Sequence, residues 1–162
     1  VQRCQGHKRR NVSDQLPDDK RAHVQHVMDQ AYAAGTSAVS AAKQLKNLVR
    51  VLELEHPGAA GSLKEGLEET LTIKALNLPE LLQRSLASTN AIENLNGTIR
   101  HVSKRVKHWR GGKMILRWVA TGIFEASRGF RRLRGSKSMP ILMAALRERD
   151  RIISGDKLCA VG

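Results

Sequence analysis

An all-α fold is what this sequence predicts, and three observations carry the prediction. Apolar residues recur at spacings of three and four through most of the chain, the mark of helices that bury one face. No stretch alternates apolar and polar residues as a half-buried strand does. Five aromatic residues among 162 leave the packing to Leu, Val, Ile and Ala, a set weighted here toward helices. A chain of this length amounts to one domain and can bury a core of its own.

In chain order, residues 4–15 are expected to form a short helix that Pro17 ends. Pro17, Asp18 and Asp19 make a good start for the next helix, which sets Ala22, Val24, Val27, Met28 and Ala31 near one face until Gly35. Thr36 or Ser37 can cap a third helix, on which Val39, Ala42, Leu45, Leu48, Val49 and Leu52 recur to about His56, where "HPG" stops it. From Ser62, the spacing of Leu63, Leu67 and Leu71 predicts another amphipathic helix, and Pro79 opens a short one with Leu81 and Leu82. Ile92, Leu95, Ile99, Val102 and Val106 follow at spacings of 3, 4, 3 and 4, a narrow apolar seam on a helix that begins near Asn90 and breaks at "WRGG". A long helix from Lys113 to about Leu133 places Ile115, Trp118, Val119, Gly122, Ala126 and Phe130 on its packing side. Arg117, Arg128, Arg131 and Arg132 surround the rest of it. "RGSKSMP" ends that helix, Ile141, Leu142, Ala145 and Leu146 carry a last one, and the tail "ISGDKLCAVG" is expected to be unstructured. There is no internal repeat and no low-complexity linker.

Charge is distributed unevenly along this scaffold. Residues 1–93 hold 12 Lys and Arg against 11 Asp and Glu, a balance of +1, whereas residues 94–151 hold 15 against 3, a balance of +12. A polyanion such as nucleic acid is the natural partner for the basic stretch, because each neutralised phosphate releases condensed counterions. The plainer alternative is a solvated basic helix face. No apolar run approaches the roughly 20 residues that span a bilayer, and the basic start "VQRCQGHKRRN" lacks the apolar segment of a signal peptide. The expectation is a cytoplasmic protein with Cys4 and Cys159 as reduced thiols.

Within the stretch "STNAIENLNGTIR", Glu93 admits two readings. With Asn90 as N-cap, Glu93 stands at the third helical position and Asn-x-x-Glu makes a capping box. It also lies at the edge of the apolar seam, with Asn90, Asn94 and Gly97 on its side of the helix, where a rigidly held carboxylate could serve as a metal ligand. Trp109, between Lys107 and Arg110, either stacks on an unpaired base while its neighbours hold phosphates, or tucks against a helix. "GFRRLRG" reads as a phosphate-binding cluster with Arg128, or as arginines complementing a helix C-terminus. Cys4 and His7 have zinc-like spacing, and His23 and His26 lie three apart on a helix, but no second pair completes four ligands at fitting distance. No Ser-His-Asp pattern, phosphate loop or glycine-rich nucleotide fingerprint is present.

The segment from Ser88 to Gly135 resembles the C-terminal region of mutator-type insertion-sequence transposases, DDE enzymes with a retroviral-integrase-like (RNase H-like) catalytic core. Asn90, Ile92, Glu93 and Asn96 match the family segment that supplies the last acid of the triad. Cys4, His7, Lys8 and Asn11 match a second segment, found just beyond the second catalytic Asp.

The resemblance implies four parts: residues 1–15 as the end of a core segment, 16–85 as an all-helical insertion, 86–152 as basic closing helices of the core, and 153–162 as a flexible tail. It implies Glu93 as catalytic residue and metal ligand, with Asn90 and Asn96 as its scaffold. DNA, both transposon ends and target, would lie on Arg100, Lys104, Arg105, Lys107, Trp109, Arg110, Arg128, Arg131, Arg132 and Arg134. The intact enzyme would use Mg²⁺ or Mn²⁺ for phosphoryl transfer near the bacterial nucleoid. Family members carry core strands and two catalytic Asp residues before the point matched by Val1, and Asp14, Asp18, Asp19 and Asp29 do not replace them. The expectation is therefore a fragment that binds no metal pair and is inactive alone. The alternatives are a non-catalytic basic helical DNA-binding module, or one that forms homo-oligomers or pairs with intact transposase.

Overall fold

A computed structural model describes residues 1–159, with side chains to residue 153, and every regular element among them is helical. The α-helices are α1 (Gln5–Ser13), α2 (Asp18–Tyr32), α3 (Ala38–Glu55), α4 (Pro57–Lys64), α5 (Thr72–Ala75), α6 (Glu80–Leu86), α7 (Asn90–Ser103), α8 (Gly112–Ser127) and α9 (Met139–Cys159). Short 3₁₀ turns occupy Glu68–Leu71 and Ser136–Ser138. The chain divides into two compact units, one made of Val1–Ser88 with the stretch from Leu133 onward, the other of Thr89–Arg132.

The first unit owns the hydrophobic core. Val24, Met28 and Ala31 of α2 meet Leu45, Leu48, Val49 and Leu52 of α3, with Ala59, Ala60 and Leu63 of α4 closing the cluster. Ser37 caps α3 by accepting the Ser40 amide at 3.2 Å. Val39, expected on the packing face of α3, is 82% exposed; Ala41, two residues on, is buried in its place. The helix expected from Ser62 is also redrawn. Pro57 stops α3 and at once occupies the first turn of α4, which ends at Lys64. Glu65 is already extended (ψ 113°) and Gly66 turns the chain at φ +60°, so no helix continues. Leu67 and Leu71 still reach the core, from a 3₁₀ turn.

Two buried lysines tie these elements together. Lys8 Nζ donates to Ser62 O (2.6 Å) and Glu65 O (2.5 Å), satisfying carbonyls at the end of α4, and burial pushes its ammonium below the ordinary lysine range. Lys74 Nζ donates to Ala33 O and to Thr36 O (3.0 Å), closing the turn between α2 and α3. The N-terminal residues are strapped on by Gln5, whose side-chain amide donates to Thr70 O at 2.9 Å, and by Gln2, whose carbonyl oxygen accepts the Ile73 amide at 3.0 Å.

The stretch from Leu133 onward belongs to this same unit, whereas the sequence reading groups it with the basic helices before it. Gly135 sits at φ +78° with space for a Cβ only 2.8 Å from Leu82 N, and Leu142 and Ala145 of α9 pack against Ile73, Leu78 and Leu82. Helix α9 runs to Cys159, over ground the sequence reading leaves as a tail; residues 160–162 and the Cys159 thiol lie outside the described residues.

Candidate functional site

The Thr89–Arg132 unit is a hairpin of α7 and α8, and it carries most of the residues singled out from sequence. The helices meet closely at one point: a Cβ on Gly122 would stand 2.8 Å from Ile99 Cα and 2.9 Å from Ile99 Cγ1. Gly122 is the one buried residue of this unit. Its other apolar groups stay partly or largely exposed, among them Ile92 (61%), Leu116 (69%) and Phe124 (67%).

Helix α7 begins differently from the expected capping box. Thr89 is the N-cap, and Asn90 is already the first helical residue. The Glu93 amide donates to Thr89 O at 3.0 Å, and the Thr89 hydroxyl donates to a carboxylate oxygen of Glu93. The Asn90 cap therefore gives way to a Thr-Glu pair shifted one residue earlier. A carboxylate in the first turn also faces the positive end of the helix dipole, which holds it there without a metal. Glu93 is exposed, and it lies about 120° round the helix from Ile99, the residue that faces α8. Asn96 and Gly97 are exposed as well. Among the described residues no group of three His, Cys, Asp or Glu side chains could hold a metal ion, so Glu93 offers one ligand where a metal pair needs several. The same holds for Cys4 and His7: Cys4 is half-buried just before α1, His7 is exposed, and His26 pairs with Gln30 at 2.9 Å.

The basic residues fall at the two ends of the hairpin. Arg100 lies in the last turn of α7, and Lys104, Arg105, Lys107, Trp109 and Arg110 occupy the connection that leads to α8. Trp109 is 46% exposed, so it is not buried against a helix. Lys113 and Arg117, on the first turns of α8, join this end; the sequence places Arg117 on the same solvent side of the expected helix as Arg128, but neither it nor Lys113 is among the DNA contacts expected from sequence. Arg128, Arg131 and Arg132 lie at the other end, with the start of α7 and hence Glu93, about 20 Å away along a helix of this length. Arg128 is partly engaged: its Nη1 is 2.9 Å from Glu125 Oε2 and its guanidinium lies over the Phe124 ring, 5.6 Å from the centroid. Arg134 belongs to the first unit, where its carbonyl is 2.9 Å from Ser85 Oγ.

Helix α8 stops at Ser127, short of the expected Leu133. Arg128, Gly129 and Phe130 amides bond three residues back, to Glu125, Ala126 and Ser127, which tightens the last turn and releases the chain. Phe130, expected on the packing side, is 61% exposed in consequence.

The order of motifs, the helical architecture and the basic hairpin agree with the comparison that decides the matter: the family model described as "Transposase, Mutator family" matches residues 1–132. The chain belongs to the mutator transposase family. A curated member similar to it is the "Transposase for insertion sequence element IST2" of Acidithiobacillus ferrooxidans, 29% identical over 107 residues. That match covers 66% of this chain and 35% of the relative, so this mutator-family chain aligns with about a third of that protein. No solved structure matches it. Among the described residues no helix is long and apolar enough to cross a membrane.

Proposed function

We propose that this chain is part of a DNA-transposing enzyme, in which the Thr89–Arg132 hairpin holds DNA and Glu93 supplies one carboxylate to a two-metal site. The observation that carries the DNA assignment is charge: ten Lys and Arg against two acids within residues 89–132. Two Mg²⁺ or Mn²⁺ ions, when bound, would activate the attacking oxygen and stabilise the leaving oxygen at phosphorus. The described residues bring one of the required ligands, so no catalytic step is assigned to them alone; they bind DNA beside the nucleoid without cutting it. Arg100, Lys104, Arg105, Lys107 and Arg110 would hold phosphates at one end of the hairpin, and Arg131 and Arg132 at the other.

The test uses the purified chain with duplex DNA and either ion. Binding at low salt that weakens steeply as salt rises, survives Glu93→Gln and leaves the duplex intact is the expected result. Absence of binding overturns the DNA assignment. Metal-dependent nicking abolished by Glu93→Gln overturns the view that these residues cannot cut alone. A second reading has its own observation, the exposed Leu116, Ile123 and Phe124 of α8: pairing with another transposase chain, which predicts co-purification with the full-length enzyme and weak DNA binding.

A further inference from the structure

A cleft of about 730 Å³ in the first unit is lined by charges of both signs, four of which pair with one another, Lys46 with Glu68 at 3.7 Å and Lys64 with Glu53 at 3.5 Å. A smaller groove of about 490 Å³ lies within the α7–α8 hairpin, at the end that carries Glu93. Ala91 and Leu95 of α7 form one wall, and Ala126 and Gly129 at the end of α8 the other. Three of these four residues are Ala or Gly, and their lack of bulk opens the space. Asn94, Thr98, Phe130 and Arg131 complete the lining.

We propose that this groove receives a single unpaired nucleotide of DNA, its base stacked on Phe130, its base edge on the Asn94 amide and its phosphate on Arg131. The proposal rests on the DNA reading above and specifies which state of DNA the Glu93 end of the hairpin takes. The volume falls in the range of small-ligand sites, about 300–1,000 Å³, and the lining has their usual composition, apolar walls with a few polar groups. Phe130 is the distinctive element. The 3₁₀ turn that ends α8 leaves its ring exposed beside a cation, and an aromatic face with a neighbouring arginine is how single strands are held without regard to sequence. Thr98 donates its hydroxyl to Asn94 O at 3.1 Å, and among the described residues no partner holds the Asn94 side-chain amide, which can both donate to and accept from a base. A base inside a duplex is stacked on both faces and cannot enter such a groove; an unpaired one can.

The experiment compares the full chain's affinity for a short blunt duplex with that for the same duplex bearing a single-stranded overhang that contains 2-aminopurine. Wild type is expected to bind the overhang DNA more tightly and to quench its fluorescence by stacking. Phe130→Ala should weaken overhang binding about tenfold and abolish the quench, leaving blunt-duplex affinity unchanged, and Phe130→Trp should restore both. Gly129→Leu gives a second approach: a Cβ there meets only Ala126 O, at 3.6 Å, so the leucine fits the backbone and fills the groove, with the same expected loss. Equal binding of blunt and overhang DNA by wild type overturns the groove assignment alone. Retention of the preference and the quench by both Phe130→Ala and Gly129→Leu does the same. Binding of neither DNA overturns the DNA reading and this proposal with it.

Discussion

Gly122→Ala should loosen the α7–α8 hairpin, although alanine is the better helix former. The new methyl would stand 2.8 Å from Ile99 Cα, 2.9 Å from Cγ1 and 3.2 Å from Cβ, against the roughly 3.5–4.0 Å at which carbon atoms rest. A rotamer change can move Cγ1, but Cα and Cβ are fixed to the backbone of α7, so α8 must retreat by up to about 1 Å. Overpacking of this kind costs about 1–3 kcal/mol, and the helix-propensity gain returns about 0.5–1. The net loss is about 0–2.5 kcal/mol, centred near 1.2, or roughly an eightfold rise in the open population of the hairpin. Gly97 on α7 is the internal control: a Cβ there meets nothing within 4 Å, so Gly97→Ala should stabilise by up to about 1 kcal/mol. Amide hydrogen exchange across α7 and α8 reads both effects. If Gly122→Ala protects these amides as well as Gly97→Ala does, the close crossing at Ile99 is wrong.

Other outcomes follow from the first unit. Lys8→Met keeps the length of the side chain but leaves Ser62 O and Glu65 O without their donor, so chemical denaturation should show a loss of about 1–3 kcal/mol. Glu65 accepts from Arg3 at 2.8 Å, and that hydrogen bond, with the guanidinium charge, holds its carboxyl below the usual range. Its contribution is therefore fully present above the ordinary Glu value of about 4.3 and fades as pH falls through the lowered one. Glu65→Gln should flatten the stability profile in that acid window and leave the neutral region otherwise parallel. Gly135→Ala should unseat α9, since the methyl would meet the Leu82 backbone at 2.8 Å and φ is +78°; loss of helical signal at a lower temperature than wild type checks it.

Helix existence was legible in the sequence wherever periodicity and punctuation agreed. The acids after Pro17, Ser37 before α3 and the seam of α7 each point to an element the structure contains. What escaped depends on contacts between distant residues. Nothing local says that Arg3 would lie beside Gly66, where the leucine-spaced helix is already over, or that a motif lysine, Lys8, would be consumed in tying α1 to α4. The candidate site was half legible. Its charge could be counted, but periodicity carried Phe130 onto a packing face, because helical phase is meaningful only while the helix lasts, and α8 ends at Ser127. Of the two readings of Glu93, the cap reading shifts by a residue: Thr89, not Asn90, is the N-cap, and its hydroxyl meets the carboxylate. Spacing identifies a helix start to within a residue, and that single residue decides which side chain meets the carboxylate.

The central claim is that the Thr89–Arg132 hairpin is a DNA surface, and salt-dependent binding tests it most directly. Duplex affinity measured from about 50 to 200 mM salt should fall along a straight log-log line. Replacing Lys104, Arg105, Lys107 and Arg110 together by glutamine should make that line shallower, by roughly 0.9 in slope for each phosphate the variant no longer neutralises. A wild-type chain that does not bind duplex DNA at the lowest salt, or a fourfold variant with an unchanged slope, would contradict it.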